Sequence, residues 1–131
     1  MEQNEKTKAL LAAFGCALAY LLAGKALAAV LPQVPEEAAR MWAFVHRCAA
    51  APIVEELVFR GIIQQQARPL GERQAVALQA VLFAVQHRGP AGMAYALVCG
   101  LVLGTLRSRT GSVWPGMLLH TLNNLLVFAA G

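Results

Sequence analysis

Ala9 to Leu31 is apolar at every position except Lys25. A helix rising 1.5 Å per residue over that run crosses about 30 Å of hydrocarbon. The rest of the chain does not dilute this feature. Of 131 residues, 58% are apolar and 14% charged, with a mean hydropathy of +0.54. A soluble domain sits nearer to about 45–50% apolar and about a quarter charged. The high surface-to-volume ratio of so small a fold leaves too little interior to hide the excess from water. A soluble enzyme, a disordered tail and a disulfide-stapled secreted module are excluded. The expectation is an all-α, multi-pass transmembrane helical bundle, with residues 1–131 forming a single integral membrane domain.

Five helices are read along the chain. The first span covers about 9–31. Ala26-Leu27-Ala28 has the small-residue form of a signal-peptidase site, but the leading residues are of mixed charge. This favours an uncleaved span, with Lys25 reaching toward the nearer interface. Pro32 and Pro35 break the run, and Glu36 and Glu37 suit the start of a second helix, running to about Arg68 with a kink at Pro52. Pro69-Leu70-Gly71 is a turn. Gln74–His87 is a short third helix, ended by Arg88-Gly89-Pro90. Ala91–Leu106 is a fourth, Arg107–Gly111 a polar turn, and Ser112–Ala130 a fifth helix with Trp114 placed to anchor an interface.

The formal charge of +4 is carried by residues lying between apolar runs, so it bears on topology and not on nucleic acid. Lys6, Lys8, Arg68, Arg73, Arg107 and Arg109 fall on one side, against Arg40 and Arg88 on the other. The positive-inside rule then gives an N-in, C-out chain. Cys16, Cys48 and Cys99 are far apart and embedded in apolar sequence. They are read as buried, inert thiols.

Ionisable groups inside spans cost roughly 2.5–3.5 kcal/mol each on insertion scales and mark function by default. Here they are concentrated: Glu55, Glu56 and Arg60 on the second helix, His87 on the third, His120 and Asn124 on the fifth. At 1.5 Å per residue, Glu55 and His87 each lie about 20 Å from the nearer cytoplasmic helix end, and His120 and Asn124 about 12–18 Å. Three helices thus bring polar groups to similar depth. Glu56 and Arg60 are spaced i,i+4 with the acid first, the better order for a helical ion pair. His120 and Asn124 share a face by the same spacing. Phe83, one turn before His87, can wall the same space. A carboxylate and an imidazole meeting over one water can deprotonate it. A second imidazole and a carboxamide can stabilise the oxyanion of a tetrahedral intermediate. His46 and Asn123 are placed outside this set, and Gln64 to Gln66 read as a wet helix end. Gly100 and Gly104 read as a small-residue pair for close helix packing.

Glu55-Glu56-Leu57-Val58-Phe59-Arg60, Phe83-Ala84-Val85-Gln86-His87 and His120-Thr121-Leu122-Asn123-Asn124 resemble the EExxxR, FxxxH and HxxxN motifs of the CAAX protease and bacteriocin-processing (CPBP, or Abi) family. The similarity covers about 52–128, in order, on three separate helices. It implies an intramembrane glutamic endopeptidase without a cofactor or metal. Glu55 and His87 would activate the water, His120 and Asn124 would form the oxyanion site, and Glu56, Arg60 and Phe83 would support it. The partners implied are membrane lipid and a membrane-anchored or C-terminally tagged protein or peptide substrate. One span precedes the motif core where larger members have several. A compact prokaryotic-type member of the cytoplasmic (inner) membrane, with self-association or a partner, is the expectation.

Three alternatives stand beside this reading. Two histidines and a carboxylate suffice for a zinc peptidase, although no HExxH is present. A non-catalytic membrane binding or immunity protein would keep the polar cluster for structure. Carboxylate and imidazole chains also relay protons, but five short helices leave little room for alternating access.

Overall fold

The computed structural model describes residues 2–30 and 33–131. Met1, Leu31 and Pro32 lie outside the described residues, and with them the expected end of the first span and the first of its two breaking prolines. Among the described residues five helices follow one another: α1 (Glu2–Val30), α2 (residues 36–66), α3 (Glu72–Ala84), α4 (Gly89–Thr110) and α5 (Trp114–Ala130). A short 3₁₀ turn, Arg68–Leu70, joins α2 to α3.

A small apolar core around Phe59, Ile63 and Phe83 also encloses polar groups, while large apolar side chains face outward. Glu56, Arg60, Gln64, Gln79 and His120 are buried, whereas Leu11, Val98 and Leu118 are 69%, 60% and 73% exposed. Helices α1 and α4 are long and apolar enough to cross a membrane, yet only 11% and 22% of their apolar windows are buried within the protein. A soluble core helix would turn that surface inward. Hydrocarbon is the solvent that suits it. The protein is an all-α membrane bundle.

Helix α2 is not uniformly wound. Its course is α-helical over Glu36–Val45, π-helical over His46–Ala50, α-helical over Ala51–Glu55, and π-helical again over Glu56–Ile63. The amide of Ala51 donates to His46, five residues back. Pro52 has no amide hydrogen with which to continue that pattern. The carbonyl of Arg47 is thereby left for a partner outside the helix, and Asn124 supplies one. π-Helical turns inside α-helices frequently occur at functional sites.

Several expected boundaries are corrected, among them the start of the fifth helix, at Trp114 and not Ser112. The third helix begins at Glu72, not Gln74, and ends at Ala84, so His87 lies in the turn beyond it. Gly89 and Pro90 open α4 instead of merely ending α3. Proline suits the first helical turn because its missing amide hydrogen would be unpaired there in any case. Arg107–Thr110 continues α4 and is not a turn: cations are favourable at a helix C-terminus, and Gly111, at φ +70°, supplies the left-handed residue that ends it. The wet end expected at Gln64 is also corrected. Gln64 is 3% exposed, and its amide donates to the Gly104 carbonyl and the Ser108 hydroxyl, each at 3.0 Å. Of the three cysteines only Cys48 is buried; Cys16 and Cys99 are half-buried.

Helices α3 and α4 approach each other closely. A Cβ placed on Gly100 would stand 2.9 Å from both Cα and Cβ of Ala80. Beside it, the buried Gln79 amide donates to the Gly100 carbonyl at 2.7 Å. Gly100→Val must therefore push the α3 backbone away. Overpacking of this kind costs about 1–3 kcal/mol, and a lowered melting temperature in micelles, read against wild type, is the expected result.

Candidate functional site

Glu55 and Glu56 leave α2 in different directions and meet the same imidazole. His120 Nδ1 lies 2.9 Å from Glu56 Oε1, and His120 Nε2 lies 3.5 Å from Glu55 Oε2. A carboxylate can only accept, so Nδ1–H donates to Glu56 and fixes the ring. Glu56 is fully buried, with Arg60 Nη1 3.1 Å away on the next turn. That contact is one of charge only: none of the three Arg60 nitrogens finds an acceptor in hydrogen-bonding geometry. The guanidinium also stands over Phe83, 4.5 Å from the ring centroid.

Glycine makes room for this arrangement. A Cβ on Gly116 would come within 2.7 Å of Glu56 Oε2. The α5 backbone thus passes directly against the second carboxylate oxygen, which has no hydrogen-bond partner.

Phe83 holds the aromatic side of the site. It packs edge-on against His87 at 4.6 Å, Phe59 at 5.1 Å and His120 at 5.9 Å between ring centroids. His87 Nδ1 lies 3.0 Å from the Phe83 carbonyl oxygen. The carbonyl is an acceptor, so Nδ1 carries the proton and Nε2 keeps its lone pair.

Glu55, His87, His120 and Asn124 line one cavity of about 740 Å³. Glu55 and His87 share its wall without an ion pair to each other, and the Glu55 side chain is 19% exposed. Asn124 Nδ2 donates at 2.8 Å to the Arg47 carbonyl, the group left over by the π-helical winding before Pro52. A carboxamide nitrogen has two hydrogens, so one remains for a ligand. Asn123, left without a role from sequence, donates to Asn124 Oδ1 at 3.3 Å and accepts from the Tyr95 hydroxyl.

Two residues join the site that sequence reasoning did not place there. His46, read as apart, lines this cavity, and it also lines an adjoining one of about 530 Å³ together with Glu55 and His87. Tyr20 of α1 lines that second cavity and packs edge-on against Phe59 at 5.4 Å. A lone phenol in the middle of an alanine–leucine span was the available signal. Lys25, expected to reach the interface, lines the same cavity. Among the described residues, no three His, Cys, Asp or Glu side chains are grouped as a metal site.

A family model described as Type II CAAX prenyl endopeptidase Rce1-like matches residues 37–126, more than half of the chain. No curated protein and no solved structure matches.

Proposed function

We propose that this chain, which belongs to the type II CAAX prenyl endopeptidase Rce1-like family, hydrolyses its substrate with a water activated by Glu55 and His87. Membership makes it a CAAX-type membrane peptidase; the assignment of chemical steps to residues is our reading. The observation that carries it is the meeting of Glu55, His87, His120 and Asn124 on the wall of one cavity.

A water held between Glu55 and the unprotonated Nε2 of His87 loses a proton to the carboxylate as its oxygen attacks the scissile carbonyl carbon. Negative charge then collects on the former carbonyl oxygen. The second amide hydrogen of Asn124 and the Nε2–H that His120 carries in its doubly protonated form are the donors for it; Arg47 holds the first group in advance and Glu56 the second. Collapse of the intermediate breaks the C–N bond, and the proton taken from water leaves on the amine. The water is thus divided between the two new termini.

The substrate in this reading is a membrane-anchored or C-terminally tagged protein or peptide, reaching the cavity from lipid. Residues 1–131 act as one membrane domain, N-in and C-out, in a prokaryotic cytoplasmic membrane, alone or self-associated.

The test compares membranes that express the chain with membranes that lack it, each with and without a metal chelator. C-terminal fragments of membrane proteins that appear only with the chain, and persist in chelator, are the expected result. Fragments lost in chelator would move the chemistry to a metalloenzyme, and no fragments at all would favour a binding role. Asn124→Ala is expected to lower kcat by about 10²–10³-fold with KM little changed, because an oxyanion contact forms fully only in the transition state. Unchanged turnover in that variant removes Asn124 from the oxyanion site.

A further inference from the structure

At the end of the bundle where α2 stops, α3 starts and α4 stops lies a separate cavity of about 330 Å³. Arg60, Arg68 and Arg107 line it together with Gln64, Glu72 and Ser108. Its single carboxylate is already engaged, since Glu72 accepts from the Ser108 hydroxyl and from Arg68 Nε. With Arg68 paired to Glu72 and Arg60 to Glu56, the Arg107 guanidinium is the excess positive charge facing the cavity.

The buried guanidinium nitrogens are the ones without a hydrogen-bond acceptor. Arg60 is 0% exposed, yet its three nitrogens have no hydrogen-bond acceptor, and Arg107 Nε is likewise buried and unmatched. Leaving a charged donor unsatisfied costs more than leaving a neutral one. Glu56 offsets part of the Arg60 charge but accepts no hydrogen bond from it. The missing component on the cavity side is an anionic acceptor.

We propose that this cavity binds an anion of the phosphate class, held by Arg107 and Arg68 with the buried Arg60 charge beneath it. Forked guanidinium donors match the spread of oxygens on a phosphate. The cavity lies at the ends of helices, including the C-terminal end of the membrane-crossing candidate α4, so the group is either a phospholipid headgroup or free phosphate. Arg60 then joins two sites, with Glu56 and His120 on one side and the anion on the other. The proposal does not depend on the peptidase reading.

The test uses the full chain in phosphate-free maltoside micelles. Thermal unfolding is followed with inorganic phosphate against chloride at equal ionic strength, and with phosphatidylglycerol against diacylglycerol. Stabilisation by phosphate identifies a free-anion site. Stabilisation by phosphatidylglycerol where phosphate is inert identifies a headgroup site. In Arg107→Gln the apparent affinity should fall about tenfold or more, the effect of losing one charge-assisted hydrogen bond. Arg109→Gln, exposed on the same helix and off the cavity wall, should keep wild-type affinity for inorganic phosphate. Arg68→Gln provides the same reading if Arg107→Gln does not fold. No stabilisation by either additive, or a cavity variant that responds like wild type, overturns the site.

Discussion

Glu55→Gln is expected to lower kcat by about 10²–10⁴-fold, the range that a positioned general base supplies. The variant keeps the shape of the side chain and its ability to face His120, 3.5 Å away, but removes the basic oxygen. Folding should be little affected, because the Glu55 side chain is partly exposed and lines a cavity. The buried ion pair belongs to its neighbour. Initial rates on a fragment-defined substrate, set beside melting curves for both proteins, separate the two effects. A Glu55→Gln protein that cleaves at the wild-type rate eliminates Glu55 as the base. One that loses activity together with its folding transition would place Glu55 in the scaffold instead.

The legible parts of the site were those written in local spacing. Glu56 and Arg60 are one turn apart on α2, and their pairing needs only helical geometry. Phe83 and His87 also meet by a short-range rule, although His87 lies in the turn after α3. Even the tertiary meeting of α2, α3 and α5 was partly readable, because polar groups in an apolar bundle have few places to go except toward one another. The outward-facing leucines and valines are the same constraint seen from the lipid side.

The missed features depend on which backbone groups are left over after folding. Nothing local to Asn124 indicates that its amide will meet Arg47, 77 positions earlier. That contact needs a π-helical turn, and the winding ends at a proline that cannot supply the next hydrogen. Gly116 reads as an ordinary glycine near a helix start until the Glu56 carboxylate is seen against it. Tyr20 and His46 enter through the packing of α1 and α2 around Glu55, with no motif to announce them. Gln64 looked like a wet end because three glutamines occur in a row, yet one of them faces the Gly104 carbonyl on α4. Proline marks a stop or a start by its place in the turn, which local sequence does not reveal. At Pro90 it is a start.

Arg60→Met is expected to destabilise the fold by about 3–5 kcal/mol, the cost of stranding one member of a buried pair. Both side chains are 0% exposed and stand 3.1 Å apart. Removing the guanidinium leaves the Glu56 carboxylate in a low-dielectric interior with only His120 beside it, and takes the cation from the face of Phe83. Against a typical total stability of about 5–15 kcal/mol, such a loss is large. Glu56→Gln with Arg60→Met should recover much of it, because the double variant no longer buries an unbalanced charge and Gln still offers His120 an acceptor. Denaturation midpoints of wild type, both single variants and the double variant close the cycle. A double variant no more stable than Arg60→Met would mean that packing around the guanidinium, and not its charge, holds α2 in place. A recovered double variant that still fails to cleave would show that the pair also sets the orientation of His120, since stability alone would then have been restored without the geometry that the site requires.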